Sequence, residues 1–170
     1  PDSVTYIDNQ AFYKCTGFTG NLVIPNSVTS IGAFAFVDCR GLTGNLVIPD
    51  SVTTIRRMAF IGCSGFTGNL VIPNSVTSIS EGAFSDCTGL TGDLVIPDSV
   101  TYIGGDAFSY CSNIADMYIN KEEDSISTGS FPNRIHWRYD LSNCSVQLPK
   151  DTFLYTGKPI ELGTNELTVL

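Results

Sequence analysis

At 170 residues the chain has room for one ordinary domain, or for an elongated array with a small appendage. Hydrophobic residues make up 42%, enough for a continuous core, but charged residues only 15%, against about 25% in an ordinary globular protein. The formal net charge of −8 argues against nucleic acid or an anionic membrane as a partner. No apolar run approaches the roughly 18 residues that a membrane-spanning helix needs, so no membrane insertion is expected.

One interval organises the chain. Cys15, Cys39, Cys63, Cys87 and Cys111 are 24 residues apart, as are Phe12, Phe36, Phe60, Phe84 and Phe108, each preceded by alanine. Pro1, Pro25, Pro49, Pro73 and Pro97 keep the same step, each followed two residues on by Ser-Val. Several ladders in one register define a repeat architecture. The chain opens on Pro1 in mid-repeat with no basic start or cleavage pattern, and reads as a fragment of a longer exported protein whose signal lies outside it.

The unit from Leu22 to Asn45 shows how one coil is built. Leu22-Val23-Ile24 alternates and is β-branched, which predicts a short strand, ended by Pro25 because proline has no N–H for the ladder. Asn26-Ser27 offers a turn, and Val28 and Ile31 bracket a second extended stretch at Thr29-Ser30. Ala35, Phe36 and Cys39 follow at one-sided spacing, which predicts one turn of α- or 3₁₀-helix. Gly41 and Thr43-Gly44-Asn45 return the chain to the next strand. A single coil cannot bury its inward set of Leu22, Ile24, Val28, Ile31, Ala35, Phe36, Cys39 and Leu42, whereas stacked coils can.

The stacking also decides the role of the cysteines. Equivalent residues on neighbouring coils lie about 4.8 Å apart with parallel side chains, whereas a disulfide needs Cβ atoms at about 3.8 Å in a twisted geometry. Buried free thiols acting as small hydrophobes are expected, and the spacing fits no zinc pattern. Cys144 lies off the ladder with no evident mate.

The motif LVIPxSVTxIxxxAFxxCxxLTGN resembles the BspA-like leucine-rich repeats of bacterial surface proteins from the gut and mouth. The resemblance covers residues 1–119 as five units. It implies a right-handed leucine-rich-repeat solenoid with a parallel β-sheet on its concave face, short strands and helical turns elsewhere, and a role in adhesion or protein recognition. Family units often run to 23 residues, so the extra residue here predicts a bulge or wider turn before each strand.

The register fails after Cys111. Ile114 to Ile119 replaces the Leu-Thr-Gly-Asp-Leu-Val-Ile pattern one residue short, Lys121-Glu122-Glu123-Asp124 reads as a solvated turn, and Arg134 to Tyr139 alternates as one further strand. Residues 120–139 are assigned to a C-terminal cap. Residues 141–170 form a short C-terminal β segment, in which Tyr155-Thr156-Gly157-Lys158-Pro159-Ile160 is similar to the opening of bacterial immunoglobulin-like repeats. Thirty residues fall well short of the roughly 100 that such a sandwich needs.

Catalytic patterns are sparse. His136, the only histidine, stands beside the only tryptophan, Trp137, and has no second histidine for a metal site. No serine sits in a Gly-x-Ser-x-Gly elbow, and Gly104-Gly105 lacks the lysine of a phosphate loop. Asp38, Asp86 and Asp106 follow the repeat spacing in separate coils and suit loop chemistry better than paired acid–base work. The calcium loop Asp-x-Asp-x-Asn-Gly does not occur. No enzyme activity, metal or cofactor is expected.

Surfaces are what is left to carry function. The outward strand positions Val23, Val47, Val71, Val95 and then Tyr118 form an apolar ribbon edged by Asn21, Asn45, Asn69 and Asp93. A contiguous exposed apolar strip marks a binding face. Where the scaffold leaves residues free to vary, the departures are Tyr6, Tyr102, Tyr110 and the basic pair Arg56-Arg57, types enriched at interface hot spots. The expectation is an extracellular bacterial adhesion module binding a protein ligand, as a monomer or in weak end-to-end association. The alternatives are a structural spacer of a larger surface protein and a glycan-binding module using Tyr118, Trp137 and Tyr139.

Overall fold

The computed structural model describes residues 3–121, 131 and 133–137, all within one compact unit spanning Pro1–Tyr139. The acidic run from Glu122, Tyr139, Cys144 and the β segment at 141–170 lie outside the described residues. In chain order the strands are β1 (Tyr6–Ile7), β2 (Gly20–Asn21), β3 (Ser30–Ile31), β4 (Leu42–Thr43), β5 (Leu46–Val47) and β6 (Thr54–Ile55). They continue as β7 (Leu70–Val71), β8 (Ser78–Ile79), β9 (Gly92–Ile96), β10 (Tyr102–Ile103), β11 (Ile114–Ile119) and β12 (Arg134–Trp137).

Every pairing is parallel, and most join residues one 24-residue repeat apart. The most continuous sheet runs β1-β3-β6-β8-β10, through the Val-Thr-Ser-Ile stretch rather than through Leu-Val-Ile. The Leu-Val-Ile ladder is broken: Leu46–Val47 pairs with Leu70–Val71 and β9 pairs with β11, whereas the expected strand at Leu22-Val23-Ile24 does not form and β2-β4 instead joins Gly20–Asn21 to Leu42–Thr43. Proline closes each Leu-Val-Ile stretch on one side. On the other, Gly44 takes a left-handed φ of 74° and separates β4 from β5, whereas Gly92, also at 74°, lies within β9. At the cap the step shortens to 23 residues, with Met117 beside Leu94 and Tyr118 beside Val95, after a register shift between Ile114 and Met117.

The expected helical turn does not form; no helix occurs among the described residues. In each coil the segment around Ala-Phe is a run of turns containing two left-handed residues four apart: Gln10 and Lys14, Phe34 and Asp38, Met58 and Gly62, Gly82 and Asp86, Asp106 and Tyr110. Its N–H groups alternate in destination. Those of Phe34, Phe36 and Asp38 donate to the carbonyls of Arg57, Ala59 and Ile61 on the next coil, at 3.0, 2.8 and 2.9 Å. Those of Val37 and Cys39 donate three residues back, to Phe34 and Phe36. Alternate donors are thus spent between coils, and an i-to-i+4 helix cannot be completed.

The core is a set of ladders. The phenylalanine rings stack at centroid spacings of 5.0, 5.2, 5.6 and 5.5 Å from Phe12 to Phe108, and Phe131 caps the column edge-on at 6.4 Å. The valines Val28, Val52, Val76 and Val100 and the isoleucines Ile31, Ile55, Ile79 and Ile103 form parallel buried columns. Coils approach so closely that a Cβ on Gly65 would lie 2.0 Å from the Arg40 carbonyl oxygen. Ladder serines tie coils together: the hydroxyls of Ser27, Ser75 and Ser99 each donate at 2.7 Å to the carbonyl of a ladder valine one coil back.

Candidate functional site

The ladder cysteines are free thiols and belong to the scaffold. Each of Cys39, Cys63, Cys87 and Cys111 donates its S–H, at 2.9–3.1 Å, to the carbonyl of the phenylalanine 27 residues earlier. Burial pushes the thiols of Cys63 and Cys111 up to about 12 and raises Cys39 and Cys87 as well. A protonated, buried sulfur is a poor nucleophile and a poor metal ligand. No group of three or more metal-ligating side chains forms among the described residues.

The three aspartates considered as carboxylate partners have local work. All three occupy left-handed positions, a conformation that aspartate tolerates better than most residues. Asp38 accepts from Arg40 Nη2 at 2.8 Å and Nε at 3.2 Å, and Ser109 donates to Asp106 at 2.9 Å. Asp38 and Asp86 border a shallow groove across the turns, with Val37, Ile61 and Tyr110 among its walls.

The valine ribbon lies open to solvent. Val23, Val47, Val71 and Val95 are 81, 49, 46 and 62% exposed, while the residues on either side point into the core. Register places Val47 beside Val71 and Val95 beside Tyr118. Tyr118 is half-buried and stacks on His136 with ring centroids 4.6 Å apart. The Nε2 of His136 lies 3.4 Å from an Asp116 carboxylate oxygen, without hydrogen-bond geometry.

The amide edge serves the coil. Asn45 Oδ1 accepts the N–H of Asn69 at 2.9 Å, and a Cβ on Gly44 or Gly92 would come within 2.5 Å of the Asn21 or Asn69 side-chain oxygen. Each asparagine therefore lies over the glycine of the following coil, where only the absence of a side chain makes room. Asp93 is exposed.

The variable residues do not gather into one site. Tyr6 and Tyr102 are exposed but sit on β1 and β10, the two outer strands of the five-stranded sheet. Tyr110, 73% exposed, is on the turn groove instead. Arg57 pairs with Glu81 at 3.1 Å and lies 5.7 Å from the centre of the Phe34 ring, while Arg56 is exposed. Phe34, under Arg57, and Met58, next to it in the chain, are carried by no motif; the signal for them is the column Gln10, Phe34, Met58, Gly82 and Asp106.

These features define a parallel-strand solenoid of about five turns that matches leucine-rich-repeat structures, with its recurring inward residues committed to stacking. Residues 1–68 match the family described as BspA type Leucine rich repeat region (6 copies). The chain is similar to the crystal structure of a leucine rich repeat protein from T. pallidum, with 35% identity and a TM-score of 0.62 over 68% of this chain and 52% of that one. It thus spans about half the length of that protein. A leucine-rich repeat protein from Bacteroides ovatus is 22% identical, with a TM-score of 0.49 over 81% of this chain and 44% of its own. A leucine rich cell surface protein from Faecalibacterium prausnitzii is 24% identical, with a TM-score of 0.41 over 84% of this chain and 53% of its own. Among curated proteins no sequence matches. No helix among the described residues is long and apolar enough to cross a membrane.

Proposed function

We propose that this chain is a non-catalytic recognition module of a bacterial surface or secreted protein, binding a protein ligand through the outside of the solenoid. The observation that carries this reading is the valine ribbon. Val23, Val47, Val71 and Val95 recur on successive coils, remain between 46 and 81% exposed, and contribute nothing to the core that a polar β-branched residue would not. A protein gains by covering such a strip, since apolar area removed from water stabilises a complex by about 25 cal/mol per Å² before the costs of association. The extracellular setting accords with the match of residues 1–68 to the BspA-type repeats, which are typical of surface or secreted proteins.

The test is direct binding of the intact chain to immobilised extracellular-matrix proteins and to a glycan array. Saturable binding to one or more proteins is the expected result. Binding to glycans alone would replace the reading with a carbohydrate module, and binding to neither by a folded chain would leave a spacer.

A further inference from the structure

Each coil places a left-handed residue at the start of its turn segment, and the column reads Gln10, Phe34, Met58, Gly82, Asp106. Glycine and aspartate meet that backbone readily; phenylalanine and methionine do so only against steric resistance. Core packing does not call for them, because Phe34 and Met58 are only half-buried and lie outside the buried cluster. The other coils fill the same position with a carboxamide, no side chain or a carboxylate. The backbone is nevertheless fixed: Phe34 N–H donates to Arg57 O and Met58 N–H to Glu81 O, both at 3.0 Å. Met58 lies over Gly82, where an added Cβ would come within 3.1 Å of its Cγ.

Arg57 lies over the Phe34 ring and precedes Met58 in the chain, and Arg56 precedes Arg57. Arg57 is steadied by Glu81 and the Phe34 ring. Arg56 is exposed and makes no ion pair among the described residues. Its counterparts on the adjoining coils are Gly32 and Ser80, so neither offers it a carboxylate. On a chain of net charge −8, an exposed guanidinium with no ion pair among the described residues, one residue before the Arg57 that lies over the half-buried Phe34 ring, is a local reversal of character. The planar guanidinium fork matches a carboxylate, and the acidic body repels extended polyanions such as nucleic acid.

Resting on the recognition reading above, we propose that Phe34, Arg56, Arg57 and Met58 form a docking site for a short acidic segment of a partner protein that carries an apolar residue beside its carboxylates. Arg56 takes the carboxylate, and Phe34 and Met58 hold the apolar group.

The test pans a 12-residue peptide display library on the intact chain and measures selected peptides by fluorescence anisotropy. Peptides placing Asp or Glu beside Leu, Phe or Trp are expected. Arg56→Ala, Phe34→Gly and Met58→Gly should each weaken them about tenfold, as hot-spot truncations do. The two glycine variants should melt within about 2 °C of the parent chain or above it, because glycine relieves the left-handed strain. Selection of no acidic peptide, indifference to Arg56→Ala, or a large fall in melting temperature in the glycine variants would overturn the site. Preference for sulfated or uronic polysaccharide over any peptide would do the same. Matrix-protein binding that survives Arg56→Ala would remove this site and leave recognition through the valines, whereas absence of all protein binding would remove both.

Discussion

Replacing Phe60 with alanine tests the ladder at its centre. Phe60 is fully buried, with Phe36 at 5.2 Å on one side and Phe84 at 5.6 Å on the other, the rings within 4° of parallel. Truncation removes the transfer energy of a buried phenyl ring, opens a cavity between two coils that cannot close independently, and deletes two stacked contacts. Phe→Ala changes of this kind cost about 3–5 kcal/mol, which for a chain of this length lowers the melting temperature by roughly 6–20 °C. Because coils contact mainly their neighbours, the lesion should also reduce the cooperativity of urea unfolding followed by circular dichroism. Phe12→Ala is the internal control: Phe12 is only partly buried and stacks on one ladder ring, Phe36, besides a tilted contact with Phe18. It should cost roughly half as much. A Phe60→Ala variant with unchanged stability, or one no worse than Phe12→Ala, would refute the stacked-core account.

Three further outcomes follow from the geometry. Gly65→Ala should be severely destabilising, since the new methyl would meet the Arg40 carbonyl at 2.0 Å, and failure of the variant to melt well below the parent chain would contradict the close coil approach. Asn45→Ala should cost about 1 kcal/mol in urea titration by leaving the Asn69 N–H without its 2.9 Å partner. The thiols make stability fall at alkaline pH. Cys63 and Cys111 are held protonated up to about 12, from an ordinary value of 9.0, so the unfolded chain loses those protons first. Their contribution is intact below pH 9 and declines by about 1.4 kcal/mol per pH unit per thiol from there towards 12. The double variant Cys63→Ala, Cys111→Ala should show a shallower alkaline slope, and an unaltered slope would count against burial as the cause.

The repeat, the inward ladders and the free thiols were legible because each depends on period alone. The turn segment is not legible in this way, because Ala35, Phe36 and Cys39 face inward whether the backbone is helical or not. What excludes a helix is non-local: the N–H groups of Phe34, Phe36 and Asp38 find acceptors on the following coil. A local clue existed in the column Lys14, Asp38, Gly62, Asp86, Tyr110, where Gly and Asp hint at left-handed backbone. The asparagines were read as the edge of a ligand face, yet Asn45 spends its acceptor on the next coil, a contact that only stacking reveals. The S–H bonds to phenylalanine carbonyls were equally invisible, since they join residues 27 rather than 24 positions apart. The valine positions follow from the alternation within Leu-Val-Ile, and the structure leaves all four exposed although Val23 lies outside any strand.

The most direct measurement compares the parent chain with a variant carrying Val23→Thr, Val47→Thr, Val71→Thr and Val95→Thr, in melting temperature and in binding to the matrix-protein panel. Threonine keeps the β-branched shape on an exposed strand while removing the apolar surface. The account predicts a melting temperature little changed and protein binding lost. Binding that persists in the folded variant would contradict the assignment of recognition to the ribbon.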